Sequence, residues 1–121
     1  MFAVEVERDA RGAVLALRGE LDFDSVVQLN EAGAAEVARE SSGPVVVDCS
    51  ALAFCDSSGI GAVLRLYQGL AGRGRELRLA SVPPRAARLF SLTGLDQLFT
   101  LYEDADAALA AGAGPRVGRS A

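Results

Sequence analysis

Residues 45–61, Val-Val-Val-Asp-Cys-Ser-Ala-Leu-Ala-Phe-Cys-Asp-Ser-Ser-Gly-Ile-Gly, pass from an unbroken apolar run into helical spacing within one short segment. An apolar run without alternation marks a strand covered on both faces, as in parallel sheets whose crossovers are helices. A short loop follows, and Asp56-Ser57-Ser58-Gly59 opens an amphipathic helix with its apolar stripe at Ile60, Val63, Leu64, Tyr67 and Leu70. A chain built around such a strand–loop–helix unit is committed to layers of helix on sheet. The start of that helix carries free backbone N–H groups, which favour an anion. Ser57 there either caps the helix or presents an oxygen that can receive a phosphate, and the residues alone leave both readings open. Ser58, one residue deeper in the first turn, is a weaker candidate for the same acceptor role.

The remaining segments supply the other layers. Ala3–Glu7 alternates as a half-exposed strand does, Arg11-Gly12 makes a turn, and Val14–Arg18 reads as the second strand of a hairpin. Gly19-Glu20-Leu21-Asp22 then leaves the sheet. Asp22, Asp24 and Ser25 are candidate caps for a helix to about Arg39, with Val26, Leu29, Gly33 and Val37 at helical spacing. Ser41-Ser42-Gly43-Pro44 stops it. Leu77–Ala80 is a short strand, Pro83-Pro84 starts a helix running to Thr93-Gly94, and Leu98–Leu101 is the last strand candidate. Asp104 caps a final alanine-rich helix ending at Gly112. The order β-β-α-β-α-β-α-β-α predicts an α/β fold: a mixed sheet, hairpin first and parallel neighbours after, flanked by about four helices. Residues 1–112 read as one domain, and 113–121, made of small residues, Pro and Arg, as a disordered tail.

Composition removes most catalytic chemistry. The chain has no histidine and no lysine, so Ser-His-Asp catalysis, histidine metal sites and a phosphate-cradling Gly-x-x-x-x-Gly-Lys loop are absent. Cys49 and Cys55 read as small buried hydrophobes in a reducing compartment and are too few for a structural zinc site. No enzyme activity, cofactor or metal is expected. No apolar run approaches the roughly 20 residues of a membrane span, and Met1-Phe2-Ala3-Val4-Glu5 lacks a signal-peptide layout, so a cytoplasmic protein is expected. The net charge is −4. Six arginines between Arg65 and Arg88 face only Glu76, but without interleaved aromatics they read as a solvated surface rather than a nucleic-acid face. The expected partner is another protein.

Four motifs in order, Gly19-Glu20-Leu21-Asp22, Val45-Val46-Val47-Asp48, Phe54-Cys55-Asp56-Ser57-Ser58-Gly59-Ile60-Gly61 and Leu92-Thr93-Gly94-Leu95 with Pro84 and Leu89-Phe90, resemble the STAS domain of the bacterial anti-sigma factor antagonists. The similarity spans roughly residues 2 to 112. It departs at Cys49 and Cys55, where bulkier aliphatics are usual, and at Phe23-Asp24. The resemblance implies a non-catalytic regulator whose partner is an anti-sigma factor serine kinase with a histidine-kinase-like ATPase fold. That kinase would phosphorylate Ser57, and a PP2C-type phosphatase would reset it. Unmodified antagonist would hold the kinase and free the sigma factor. Partner contacts are then expected at Asp22, Asp24, Asp56, Ser58, Gly59 and Ile60, with Gly59 leaving room for the phosphate or the partner's backbone. The alternative is a STAS subunit of a larger signalling or lipid-transport complex that is never phosphorylated.

Overall fold

The computed structural model describes residues 1–112; the expected disordered tail, 113–121, lies outside the described residues. The elements are β1 (Phe2–Asp9), β2 (Gly12–Leu21), α1 (Val26–Ala38), β3 (Val45–Cys55), α2 (Ser57–Ala71), β4 (Leu77–Ala80), α3 (Pro84–Leu92), a 3₁₀ turn (Leu95–Gln97), β5 (Thr100–Tyr102) and α4 (Ala105–Ala110). The five strands lie in chain order. β1 and β2 form an antiparallel hairpin, and β2 to β5 run parallel, as the element order predicts.

Alternate strand residues feed two cores. Leu15, Leu17, Val45, Val47, Leu77 and Leu79 face α1, α2 and α3, where Leu29, Val63, Leu66, Leu70 and Phe90 meet them. Val14, Val46 and Ala80 face the other way, under Ala108 and Leu109 of α4. The unbroken Val45-Val46-Val47 run is thus explained by burial on both faces. The buried stripe of α2 falls on Ala62 and Leu66 as well as Ile60, Val63 and Leu70, with Leu64 only half-buried. Phe99 packs edge-on against Tyr67 and Phe90, at ring separations of 5.4 and 6.1 Å.

Two strands run further than their patterns predict. β2 continues to Leu21 instead of leaving the sheet at Gly19. Gly19 adopts φ 96°, and a Cβ there would stand 1.9 Å from the Met1 carbonyl oxygen, so this glycine bends the strand rather than ending it. β3 continues through the segment predicted as a loop, to Cys55. Its pairing with β2 slips twice, between Ala16 and Arg18 and between Gly19 and Glu20, and each time β3 holds one residue more. Such bulges break the two-residue alternation that a strand otherwise shows in sequence.

The arginine-rich stretch is not simply a solvated surface. Arg75 and Arg78 are buried. Arg75 donates to Glu36 Oε2 at 3.1 Å and to the Gly43 carbonyl at 3.1 Å. Glu36, itself 1% exposed, also accepts from Arg8 at 2.6 Å. Arg78 donates to Glu76 and to the carbonyls of Ala108 and Ala111 at the end of α4, where orphan carbonyls and the helix dipole favour a cation.

Candidate functional site

The site forms where β3 hands over to α2. Asp56 is extended and its carboxylate accepts from the N–H groups of Ser58 and Gly59, at 2.9 and 3.3 Å. Asp56 therefore caps α2, and Ser57 is the first helical residue. Ser57 is therefore not the cap: its side chain is exposed and its hydroxyl has no hydrogen-bond partner among the described residues. Ser58 is half-buried.

The end of β2 lies alongside. Leu21 pairs with Cys55, and the Asp56 N–H donates to the Leu21 carbonyl at 3.2 Å. Asp22 and Asp56 thus leave adjacent strand ends, on one rim of the molecule. Asp22 Oδ1 accepts from the N–H groups of Asp24 and Ser25, both at 3.0 Å. The Ser25 hydroxyl donates to the Glu20 carbonyl at 2.7 Å and accepts from the Asp22 N–H at 2.9 Å. The Ser25 backbone N–H, with help from the Ser25 hydroxyl and the Asp24 N–H, holds the Asp22 carboxyl below the ordinary carboxylate range. Asp22 organises the loop, while Asp24 is exposed and its carboxylate has no partner among the described residues. Ser25 occupies the cap position of α1 without a side-chain bond to the helix.

Gly59 and Ile60 do not stand where a partner's side chains would meet them. Ile60 is buried in the main core. A Cβ at Gly59 would lie 2.7 Å from Cys55 Sγ and 2.8 Å from Leu21 Cδ2. The missing side chain therefore lets α2 close against the ends of β2 and β3; it does not make room outside for a phosphate. Two aromatic residues flank the rim instead. Phe23 is 79% exposed and Phe54 is 51% exposed. Phe23 stood out in the sequence as a departure from the family pattern. Phe54 was hidden in an expected loop, although it lies on the extended β3 opposite Glu20.

The surroundings offer little room or chemistry beyond this. The cavity beside Cys55, bounded by Leu52, Phe54, Pro83 and Arg85, holds 90 Å³, well below the roughly 300 Å³ at which ligand pockets begin. Burial pushes the Cys49 thiol up to about 12 and the Cys55 thiol up to about 11, so neither is a thiolate nucleophile at neutral pH. The rim is an acidic and aromatic surface around the exposed Ser57 hydroxyl.

Comparison with known proteins shows the family. Residues 4–103 match the family described as Mlab, STAS domain. An anti-sigma F factor antagonist from Paenibacillus polymyxa is 31% identical over 105 residues, covering 84% of this chain and 86% of that protein. An anti-sigma-B factor antagonist from Listeria monocytogenes is 30% identical over 102 residues, covering 83% of this chain and 88% of its own length. A crystal structure of an anti-sigma factor antagonist from Mycobacterium paratuberculosis superposes with a TM-score of 0.81 at 30% identity, covering 90% of this chain and 92% of that one. The phosphorylated form of the Bacillus cell fate determinant SpoIIAA superposes at 0.69 and 26% identity, over 88% of this chain and 96% of its own. The chain belongs to the STAS-domain family.

Proposed function

We propose that this protein is an anti-sigma factor antagonist that binds an anti-sigma factor serine kinase when unmodified and releases it when Ser57 is phosphorylated. The observation that carries the reading is the exposed, unbonded Ser57 hydroxyl on a helix whose cap Asp56 already supplies. The relatives named as anti-sigma factor antagonists support it, as does the likeness to a STAS protein solved in its phosphorylated form. In the forward step the kinase transfers the γ-phosphoryl of ATP to Ser57 Oγ, which gives up its proton, and ADP leaves. A PP2C-type phosphatase returns the hydroxyl by hydrolysis. Phosphorylation adds about −1.5 to −2 charges at pH 7, beside Asp56 and on the rim that carries Asp22 and Asp24. A hundred- to thousandfold loss of affinity needs only about 3–4 kcal/mol, which one close like-charge contact across an interface is large enough to provide. Phe23 and Phe54 are the apolar anchors of the unmodified complex, flanked by the exposed Asp24. Among the described residues no helix is long and apolar enough to cross a membrane.

The test is incubation of the full chain with anti-sigma factor kinases, ATP and Mg²⁺, followed by intact-mass and fragment spectra. One phosphoryl group on Ser57, none on Ser57→Ala, and a Kd at least about a hundredfold weaker for the modified form are expected. Phosphate on Ser58 would reassign the acceptor. Stable binding to a complex with no modification would favour the alternative, a STAS subunit of a larger assembly.

A further inference from the structure

We infer that the outer edge of β1 pairs with the β1 edge of a second copy, antiparallel about Val4, joining two five-stranded sheets into one. β1 ends the sheet, and among the described residues no strand lies on its outer side. Its eight residues pair with β2 without a register shift, so no bulge turns a partner away. The Glu20 N–H donates to the Met1 carbonyl. Bonded pairs alternate along an antiparallel ladder. Ala3, Glu5 and Glu7 therefore bond inward to β2, while Phe2, Val4, Val6 and Arg8 turn their N–H and C=O groups outward.

The charges on the strand select both occupant and register. Glu5 pairs with Arg18 at 3.5 Å, Asp9 with Arg11 at 3.0 Å and Arg8 with Glu36 at 2.6 Å. Of the charged side chains on β1, only Glu7 has no partner among the described residues. The edge thus offers little field to a basic strand from another protein. A second copy meets itself through a twofold axis. An axis at Glu5 sets Glu5 against Glu5, and one at Val6 sets Glu5 against Glu7, both like-charge pairs. An axis at Ala3 leaves Val6 outside the ladder. At Val4 the facing pairs are Val4 with Val4, Phe2 with Val6 and Ala3 with Glu5, and no two acids oppose. Phe2 belongs to the main core and Val4 packs against it. Val6, on the same face, is 39% exposed, so the ladder carries that core across the axis. One ladder is small beside the roughly 1,600 Å² of a standard interface, and the dimer is accordingly weak. Phe2 lies opposite Gly19, near the rim end of β2, so antiparallel pairing sends the two Ser57 rims to opposite ends of the joined sheet. On the proposed switch, such a dimer offers both rims to partner molecules at once.

Sedimentation equilibrium of the full chain from micromolar to millimolar concentration tests the association. The mass should climb from 12.5 kDa toward twice that value. Val6→Lys, at an exposed edge position, should weaken association about tenfold or more while the amide spectrum stays folded. Cysteine pairs test the register. Ala3 and Glu5 of the two copies face each other as a non-bonded pair, with Cα atoms about 4.5 Å apart and within disulfide reach. Mild oxidation of an equal mixture of Ala3→Cys and Glu5→Cys should link the two variants to each other and neither to itself. A mass constant to millimolar concentration, or unchanged association in Val6→Lys, would overturn the inference. Glu5→Cys linking to itself would do so too, by moving the axis to Glu5. Slowed amide exchange at Val4 and Val6 only after an alternating Val-Lys hexapeptide is added would give the edge to a foreign basic strand instead. The ladder uses no rim residue, so failure of Ser57 to accept phosphate would leave the result untouched.

Discussion

Because Asp56 accepts the N–H groups of Ser58 and Gly59, the Ser57 hydroxyl has no structural task. Ser57→Ala should therefore change the unfolding free energy by less than about 0.5 kcal/mol, while Asp56→Ala, which removes the cap, should cost about 1 kcal/mol and up to about 2. Urea titration of the two variants checks the contrast, and equal losses would mean that Ser57 shares the capping. Gly59→Ala argues the other way from helix propensity. Alanine gains about 1 kcal/mol over glycine in a helix interior, but its methyl would meet Cys55 and Leu21 below 3 Å. A net loss of about 1–3 kcal/mol from overpacking is expected in the same titration. Asp-Ser-Ser-Gly was legible in sequence as a helix start. The residue that caps was not, because that depends on where helical dihedrals begin, one position either way. Nor was the inward direction of Gly59, which has no side chain to mark it, although Ile60 already stood on the apolar stripe and was nonetheless expected at the partner surface as well.

At the scale of elements, the alternation and punctuation of the chain located every strand and helix, and Pro83-Pro84 and Asp104 marked helix starts that the structure keeps. What escaped was the length of β2 and β3, since bulges and a bent glycine erase the period on which such reading depends. The extension of β3 matters for pH behaviour because it carries both cysteines into apolar surroundings. Their ordinary value of 9.0 rises to about 12 and about 11, so the folded chain keeps protons that the unfolded chain gives up. The stability contributed by the neutral thiols is intact below pH 9 and is lost as pH climbs from there through the folded values. The urea midpoint should hold near neutral pH and fall above pH 9, with the fall reduced in Cys49→Ala with Cys55→Ala. The β2–α1 loop behaves oppositely. The Asp22 carboxyl is held low chiefly by the Ser25 N–H, so its bonds persist above the ordinary carboxylate range and are lost as pH drops through the lowered value. Faster amide exchange at Asp24 and Ser25 than the intrinsic acid-limb rate predicts would show it.

For the molecule as a whole, the charge total was readable from sequence but the destination of the charges was not. Arg75 and Glu36 are far apart in the chain, and no local pattern announces that they meet in the interior. Breaking that pair is expected to be costly. Glu36→Ala leaves Arg75 buried without its carboxylate and also deprives Arg8, so a loss of about 3–5 kcal/mol is expected by urea titration. This network gathers where α1 ends and where the chain turns after α2, whereas Ser57 stands at the start of α2, fifteen helical residues away. That is roughly 22 Å at the rise of a helix, more than two screening lengths of about 8 Å at physiological ionic strength. A dianion written at one pole is thus electrically silent at the other. On the proposed switch, a phosphate on Ser57 would therefore leave this network and the stability it supplies nearly unchanged, and its charge would act on whatever docks at the rim rather than on the far end of the fold.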